Sequence, residues 1–541
     1  MSRPNPLILF TVLFGVAGVL SWLALRPGAL LIAEHEGDTY HLLDILFRMQ
    51  QGQFPHQDFM TPIGILAFLP IDVFLSRGFG VGFSILYAQV FVFVVLSPLI
   101  FYVAWSRLSP KTAYVFAAFS AAMILAISFG GPSTDLAISM HYNRWAWAVT
   151  YSVIVLAFLQ PVGARWPVLD GILIGLCLGL LVLTKITFFV ALVPGIAAVL
   201  LKRGESRMLL ATIAGGLLVA AVASAFLGIG YWFGYAADLL AVSSSEIRPY
   251  PSASIQELIG SAETFGLSII AFLAFLLVRR SDLDAEALGL VLLIPGFFYI
   301  TYQNYGNDPK WLFPIAVLLI MLRPALGEKV HRGLDLRIAM TSVATAALLL
   351  FLPSAMNMVL SPVRHSAQDI SDFSPLLPAQ PDHLDIATAK TRATTVSALV
   401  QLDVEGSVWF DYREAANRAD LLTLNDIEFP ECQLMAGTQS WFDALSNELA
   451  RLNTPEGSQL FVADILAAFW LFGPYEPLQG GAPWYYGNLS GLENADYLVI
   501  PKCGFVPEAR NIIIGELIEA ELQLTTIADT ELMALFTVNQ P

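Results

Sequence analysis

Long apolar segments recur over the first two thirds of the chain, between Leu7 and Pro353. They are continuous rather than alternating, and most are close to the ~20 residues that an α-helix needs to cross a bilayer. Because lipid cannot satisfy the polar groups of the backbone, continuous runs of this length indicate membrane-spanning helices. The pattern predicts eleven spans, over 7–25, 82–105, 112–129, 144–160, 167–184, 186–201, 208–230, 262–278, 287–302, 311–322 and 338–353.

Two segments between the first and second spans have a different pattern. Residues 39–51 fit an amphipathic helix, in which Asp44 and Arg48 are four positions apart and are expected to pair. Asp38 is expected to cap the beginning of this helix. The apolar stretch 61–75 is too short and too rich in proline for a crossing, so we interpret it as an interfacial or re-entrant helix on the outer side.

The pattern changes again after the last span, where short strand-like runs alternate with helical segments. The predicted strands are 407–411, 459–463, 496–500 and 534–538, and the predicted helices lie near 385–401, 439–452 and 508–521. Such alternation is typical of a small α/β domain. The sequence therefore predicts a membrane domain (1–353, with a first outer loop over 26–81), a Pro- and Asp-rich linker (354–384) and a C-terminal α/β domain (385–541).

Composition agrees with this division. Hydrophobic residues make up 56% of the chain and charged residues only 13%, about half the usual share of a globular protein. Of the net charge of −16, residues 354–541 carry the excess, with 8 Lys/Arg against 25 Asp/Glu. An acidic domain without clustered Lys or Arg excludes a nucleic-acid-binding surface of the usual kind.

The distribution of basic residues predicts the orientation. With a cytoplasmic N-terminus, the cytoplasmic loops hold 13 Lys/Arg and the opposite loops hold seven. This asymmetry follows the positive-inside rule, and the parity of eleven spans then puts the C-terminal domain outside the cytoplasm. We therefore expect a multi-pass protein of a cell inner membrane, with a cytoplasmic N-terminus and a periplasmic C-terminal domain.

The first outer loop holds the densest group of chemically capable side chains. His35, Glu36, Asp38 and His41 follow the first span directly. A carboxylate at the membrane surface can accept a proton from an attacking group. Together these four side chains could alternatively bind a metal, but their spacing matches no specific metal motif.

The order of these features resembles the C-type (GT-C) fold of membrane glycosyltransferases, which includes the lipid-A aminoarabinose transferases, the protein O-mannosyltransferases and related bacterial sugar transferases. In these relatives an acidic motif follows the first span, and an amphipathic juxtamembrane helix and a Pro-Pro or Pro-x-Gly segment come next. Glu36 and Asp38, the 39–51 helix and Pro62-Ile63-Gly64 are similar here. The relatives often have adjacent Asp-Glu, and the second proline is missing in this chain. Which of the two acids is the counterpart of the catalytic acid therefore stays open.

The resemblance implies a hexosyl- or pentosyl-type glycosyltransferase. It would move a sugar from a polyprenyl-phosphate donor to a lipid, glycan or protein acceptor at the periplasmic face. Asp38 is the first choice for the catalytic carboxylate and Glu36 the second. Cations in outer loops, where cations are scarce, are expected to stabilise the phosphate leaving group. The expected substrate-binding residues are His35, Asp58, Asp135, Arg144, Lys185, Arg248, Asp308 and Lys310.

Three other functions stay open at the level of sequence. The first is a transporter or flippase for a lipid-linked glycan, although transporters tend to place ionisable residues within the spans. The second is a glycan polymerase or ligase, and the third is a scaffold whose C-terminal domain binds a partner. No cofactor is specified, and a divalent cation stays an alternative. Cys432 and Cys503 could pair if their domain faces an oxidising compartment.

Overall fold

A computed structural model describes residues 2–131, 133–248, 254–303, 309–331, 333–404, 406–412 and 421–538. Its first part contains helices, one strand beside the first outer loop and a two-stranded hairpin. These are α1 (Pro6–Leu25), β1 (Leu30–Ile32), α2 (Glu36–Gln50), α3 (Leu69–Leu75), α4 (Val81–Arg107), α5 (Pro110–Leu125), α6 (His141–Phe158), α7 (Pro167–Thr184), α8 (Ile186–Lys202), α9 (Ser206–Leu227), α10 (Gly230–Ser243), α11 (Ile255–Gly260), α12 (Ala262–Arg280), α13 (Asp284–Gln303), α14 (Leu312–Leu322), β2 (Val330–His331), β3 (Leu334–Asp335) and α15 (Leu336–Ser366).

The C-terminal part is built from short strands and three helices. These are β4 (Phe373–Pro375), β5 (Ile386–Ala389), α16 (Lys390–Ala393), β6 (Ser397–Val400), β7 (Leu422–Leu424), β8 (Ile427–Phe429), β9 (Cys432–Ala436), α17 (Thr438–Arg451), β10 (Leu460–Val462), β11 (Tyr497–Pro501), α18 (Pro507–Glu519), β12 (Leu524–Asp529) and β13 (Met533–Val538). Its largest sheet has the strand order β10-β11-β13-β12, in which β10 and β11 are parallel.

Each of the eleven predicted spans is helical in the structure. Within the described residues, seven helices are long and apolar enough to cross a membrane, namely α1, α4, α7, α9, α12, α13 and α15. Three shorter apolar helices, α5, α8 and α14, accompany them. The chain is therefore a mostly helical, polytopic membrane protein, and the number of eleven crossings stays a prediction.

The last membrane helix is longer than the apolar run that predicts it. We expect a span over 338–353, whereas α15 continues to Ser366. The predicted linker thus begins as helix, and β4 and β5 follow within the next 23 residues. The division into three sequence domains stays a prediction, because the two parts of the chain share a sheet.

That shared sheet joins the first outer loop to the C-terminal part. Strand β1 pairs in parallel with β5, and β4 pairs with β5 on its other side. The carboxylate of Asp385, directly before β5, accepts a hydrogen bond of 2.7 Å from the backbone N–H of Phe83 at the start of α4. The chain directly after the first span is therefore held against the C-terminal part.

Helix α2 begins three residues earlier than predicted. His35 precedes it in the left-handed conformation, with φ at 60°, and Asp38 is the third helical residue. The prediction that Asp38 caps the helix is therefore wrong. The predicted pair is confirmed, since Arg48 Nε donates to Asp44 Oδ1 at 2.6 Å and both side chains are buried.

Partners from the C-terminal part anchor the same helix. Trp470 Nε1 donates to Asp44 Oδ1 at 3.1 Å, and Arg48 Nη1 donates to the carbonyl of Leu478 at 2.6 Å. Because both members of the buried ion pair are also bound by the C-terminal part, α2 has a defined rotation about its own axis. That rotation decides which side chains of α2 face the site.

Two elements of the predicted α/β domain differ from expectation. Residues 385–401 are predicted as helix but form β5, the four-residue α16 and β6. Residues 407–411 are predicted as strand but contain a short 3₁₀ turn at Phe410–Tyr412. The strands β10, β11 and β13 and the helices α17 and α18 confirm the other five segments. Cys432 and Cys503 are joined in a disulfide.

Candidate active site

A cavity of about 480 Å³ lies where the segments that follow α1, α7 and α10 meet the C-terminal part. Its charged lining comes from three separate places in the chain. Asp38 belongs to α2, Lys185 is the single residue between α7 and α8, and Arg248 follows α10. All three are site residues predicted from the sequence, and the tertiary structure brings them together in one space.

Asp38 faces this cavity and is partly exposed to it. The hydroxyl of Ser139, in the loop before α6, donates a hydrogen bond to Asp38 Oδ2. Burial raises the pKa of the Asp38 carboxyl above its ordinary value of 3.8, while the Ser139 hydrogen bond and the positive charges of His35 and Arg248 pull it down. Burial wins, so this carboxylate is a stronger proton acceptor than a solvated aspartate.

A close backbone contact positions Lys185. The N–H of Gly64 donates to the carbonyl of Thr184 at 3.2 Å. A side chain at Gly64 would not fit, because its Cβ would lie 2.1 Å from the carbonyl oxygen of Leu183. The Pro62-Ile63-Gly64 segment therefore packs directly on the turn that carries Lys185.

Lys185 has both an aromatic and a cationic neighbour. Its Nζ lies 5.5 Å from the centre of the Tyr142 ring, within the range of a cation–π interaction. Burial and the charge of Arg248 lower the pKa of Lys185 to about 7. Arg248 is oriented by a hydrogen bond of 3.1 Å from Nη2 to the carbonyl of Gln303. Two cations that repel each other across a cavity favour an anion between them.

Two histidines of the first outer loop also line the cavity. His35 packs edge-on against Phe129, with ring centres 5.1 Å apart, and its Nε2 lies 3.2 Å from Glu34 Oε1. His41 lies in the second turn of α2, and burial lowers its pKa to about 4. His41 is therefore neutral near pH 7 and can donate or accept one hydrogen bond at each ring nitrogen.

Glu36 points elsewhere. It is buried and forms a two-point ion pair with Arg392, in which Nη2 donates to Oε2 at 2.9 Å. The hydroxyl of Thr388 in β5 donates to Glu36 Oε1 at 3.2 Å. The residues that line the cavity do not include Glu36. Its carboxylate is occupied in joining α2 to the C-terminal part.

Asp58 and Asp135 lie outside the cavity lining as well. Asp58 closes its own loop, because its Oδ2 accepts from the N–H of Phe54 at 2.7 Å, and its carbonyl accepts from the N–H of Gly480 at 2.8 Å. Asp135 is exposed and accepts from the hydroxyl of Ser133 at 2.8 Å. In the structure both carboxylates bind neighbouring residues of their own loops. Their roles in substrate binding therefore stay predictions.

Of the three remaining predicted residues, Arg144 lies at the start of α6 and Lys310 shortly before α14. Arg144 is fully buried, and its three guanidinium nitrogens have no hydrogen-bond partner among the described residues. Lys310 is buried, and its carbonyl accepts from the Tyr151 hydroxyl at 2.7 Å. Neither lines the cavity. Asp308 lies outside the described residues.

The sequence did not predict Ser139, which hydrogen-bonds to Asp38, or the cavity-lining residues Gln303, Trp484 and Tyr486. Ser139 and Gln303 carry no signal beyond being polar, because their roles depend on neighbours distant in sequence. Trp484 and Tyr486 come from the C-terminal part, and the ring of Trp484 lies 5.5 Å from that of His41. These two lie in the Pro- and Gly-flanked run Pro483-Trp-Tyr-Tyr-Gly487, and such a cluster of aromatics in a loop is a usable signal.

Metal-binding groups of the expected kind do not assemble in the part of the chain that the structure describes. No three His, Cys, Asp or Glu side chains there are grouped so that they could hold an ion. Glu36 is turned toward Arg392, away from the other members of the candidate set His35, Asp38 and His41. A divalent cation stays an alternative that these residues do not favour.

The cavity combines a carboxylate, two cations and aromatic walls. Its volume lies within the usual range of ligand pockets, about 300–1,000 Å³. Such a site can bind an anion at Lys185 and Arg248 while Asp38 accepts a proton nearby. The aromatic rings of Trp484 and Tyr486 offer flat surfaces on the side of the C-terminal part.

Comparisons with known proteins show a similarity at the level of structure. No family model and no curated protein matches this sequence. Among solved structures, the chain is similar to ArnT from Cupriavidus metallidurans bound to undecaprenyl phosphate. The TM-score is 0.37 and the sequence identity 11%, with 97% of each chain covered.

Proposed function

We propose that this protein is a membrane glycosyltransferase that takes a sugar from a polyprenyl-phosphate donor. The observation that carries the proposal is the meeting of Asp38 with Lys185 and Arg248 in one cavity between the outer loops and the C-terminal part. A phosphate-linked sugar needs cations for its leaving group and a base for the attacking acceptor, and this cavity supplies both.

The proposed reaction is a single displacement. An acceptor hydroxyl or amine attacks the anomeric carbon, and its proton passes to the carboxylate of Asp38. A bond forms between the acceptor atom and the anomeric carbon, and the bond from that carbon to the phosphate oxygen breaks. The electron pair leaves with the polyprenyl phosphate, whose added negative charge lies beside Lys185 and Arg248. One displacement inverts the configuration at the anomeric carbon.

Asp38 is the better candidate for the base than Glu36. The raised pKa of the Asp38 carboxyl lies closer to neutral pH than that of a solvated aspartate, which favours general-base catalysis. The pairing of Glu36 with Arg392 and Thr388 supports a structural role for that second carboxylate. Trp484 and Tyr486 are proposed to contact the sugar or the acceptor through their rings.

The proposed location is the outer face of a cell inner membrane. The disulfide between Cys432 and Cys503 supports it, since disulfides persist in oxidising compartments. The charge asymmetry of the loops supports the same orientation, with the N-terminus in the cytoplasm and the C-terminal domain in the periplasm. Lipid, glycan and protein acceptors are all compatible with a cavity of this size.

The test is transfer from a radiolabelled polyprenyl-phosphate sugar by the purified protein in detergent. Micelles have no second compartment, so a transporter produces no product there. We expect turnover by the unchanged protein and a loss of about 10²–10⁴-fold in Asp38→Asn, which keeps the size but removes the base. Asp72→Asn is the matched control, because Asp72 lies in the same outer loop, outside the cavity lining, and hydrogen-bonds to Gln50. Full activity of a folded Asp38→Asn variant contradicts the proposed base.

A further inference from the structure

A second cavity of about 620 Å³ lies between α5, α14 and α15. It is at the opposite end of the membrane part from the Asp38 cavity. Ser109 and Lys111, at the start of α5, line the second cavity, whereas Phe129, just after the end of α5, lines the first. The order is the same for α15, whose early residues Thr341 and Thr345 line the second cavity.

The lining changes from polar to apolar along all three helices. The polar end is formed by Ser109, Lys111 and Thr112 of α5, Arg323 just after α14, and Thr341 of α15. The apolar residues follow toward the middle of the membrane, and they are Val115, Phe313, Ala316, Val317, Ile320 and Leu348. Arg323 and Phe313 are ten residues apart, or about 15 Å of helix. A groove with a polar end and an apolar part of about this length could hold a lipid headgroup and the adjoining part of its acyl chains.

The charges at the polar end are of one sign. Lys111 and Arg323 line the cavity, and none of the described residues that line it carries a carboxylate. Arg323 donates from Nη1 to the hydroxyl of Thr341 at 2.9 Å and is close enough to Arg337 for the two positive charges to repel. The nearby carboxylates form hydrogen bonds with the backbone. Glu328 accepts from the N–H of Ala325 at 2.8 Å, and Asp335 accepts from the N–H of Gly327 at 2.7 Å.

The beginning of α5 adds to this positive potential. Ser109 precedes the helix but accepts no backbone hydrogen bond through its side chain, which instead contacts the hydroxyl of Thr112 at 2.9 Å. The amides of the first turn therefore keep their partial positive charge toward the cavity. Val115 is 59% exposed, so the groove is open to lipid at its side.

We propose that this groove binds an anionic phospholipid through its phosphate, on the membrane face opposite the Asp38 cavity. Lys111, Arg323 and the first turn of α5 contact the phosphate, and the apolar walls hold the first part of one acyl chain. This site is independent of the proposed transfer reaction. It would hold α5, α14 and α15 together at the end away from the C-terminal part.

Native mass spectrometry of the full chain tests the proposal. The purified protein in detergent is titrated with phosphatidylglycerol or with phosphatidylcholine of the same acyl chains. We expect phosphatidylglycerol to bind more tightly than phosphatidylcholine, and the Lys111→Gln/Arg323→Gln variant to lose at least about tenfold in phosphatidylglycerol affinity. Lys202→Gln is the matched control, since Lys202 is another exposed cation at a helix end and does not line the cavity.

A second variant keeps the test decisive if the charge variant folds poorly. Thr345→Phe fills the groove from an exposed position and leaves both cations in place, so it should also reduce phosphatidylglycerol binding. Equal affinity for the two lipids, or unchanged phosphatidylglycerol binding in both variants, overturns the proposal. Displacement of the lipid by equimolar glycerol phosphate also overturns it, because the site would then be one for a soluble phosphate. Asp38→Asn should bind phosphatidylglycerol normally, which separates this test from that of the transfer reaction.

Discussion

Glu36 and Arg392 form a two-point ion pair that joins residues 356 positions apart in the sequence. The carboxylate is buried, whereas the guanidinium side chain is 41% exposed. The pair connects the first helical turn of α2 to the segment directly after β5, and therefore connects the outer loop to the C-terminal part. Two residues further along α2, Asp38 faces the cavity instead.

Glu36→Gln should lower the stability of the folded protein but leave its transfer activity in place. The amide keeps the shape but loses the charge that Arg392 and Thr388 contact, so the apparent melting temperature should fall while transfer stays within about threefold of the unchanged protein. Charge-assisted hydrogen bonds contribute about 1.5–3 kcal/mol each, and the exposure of Arg392 reduces this. Thermal-shift and turnover measurements on one preparation check the prediction. A stable but inactive Glu36→Gln variant would reassign the base to Glu36.

Ser139→Ala should move the pH dependence of transfer. The Ser139 hydrogen bond holds the pKa of the Asp38 carboxyl down, so its removal raises that pKa further. A general base must be deprotonated, and activity is therefore lost as the pH falls through this pKa. The acidic limb of the profile of kcat/KM should shift to higher pH in the variant. Ser133→Ala, in the same loop but bonded to Asp135, should leave the limb in place.

Lys185→Gln and Arg248→Gln should each weaken the binding of the sugar donor more than the binding of the acceptor. Each removes one of the two cations that face the cavity, and loss of a charged hydrogen bond corresponds to about 10–100-fold in affinity. The measurement is the KM of the polyprenyl-phosphate sugar at fixed acceptor, with the acceptor KM as internal reference. Arg26→Gln, at the C-terminal end of α1 and outside the cavity lining, is the control. Unchanged donor affinity in both variants would remove these cations from the site.

Gly64→Ala should disturb the turn that carries Lys185. The new Cβ would lie 2.1 Å from the backbone oxygen of Leu183, so one of the two segments must move, at a cost of about 1–3 kcal/mol. We expect a lower melting temperature together with a raised donor KM. Gly266→Ala in α12 has nothing within 4 Å of the new Cβ and should be neutral or slightly stabilising. A Gly64→Ala variant with unchanged stability and donor KM would show that this contact does not position Lys185.

The sequence predicts correctly those elements of the fold whose formation depends on residues close together in the chain. The eleven apolar helices and the Asp44–Arg48 pair follow from hydropathy and from four-residue spacing. The prediction of a helix over 385–401 is wrong because the structure of this segment depends on a distant part of the chain. Its strand β5 exists because β1, more than 350 residues earlier, supplies a parallel partner, and no local pattern contains that partner.

Hydropathy, charge and residue type were enough to show that the chain crosses a membrane repeatedly and that its acidic part lies at the C-terminal end. They were also enough to name Asp38, Lys185 and Arg248 as candidates for chemistry. Tertiary structure alone decided which of the two acids in Glu36-Gly37-Asp38 faces the cavity. Residues two positions apart on a helix point in nearly opposite directions, so only one of them can line a given space. The contacts of Asp44 and Arg48 with the C-terminal part set the rotation of α2, and that rotation turns Asp38 toward Ser139 and Glu36 toward Arg392.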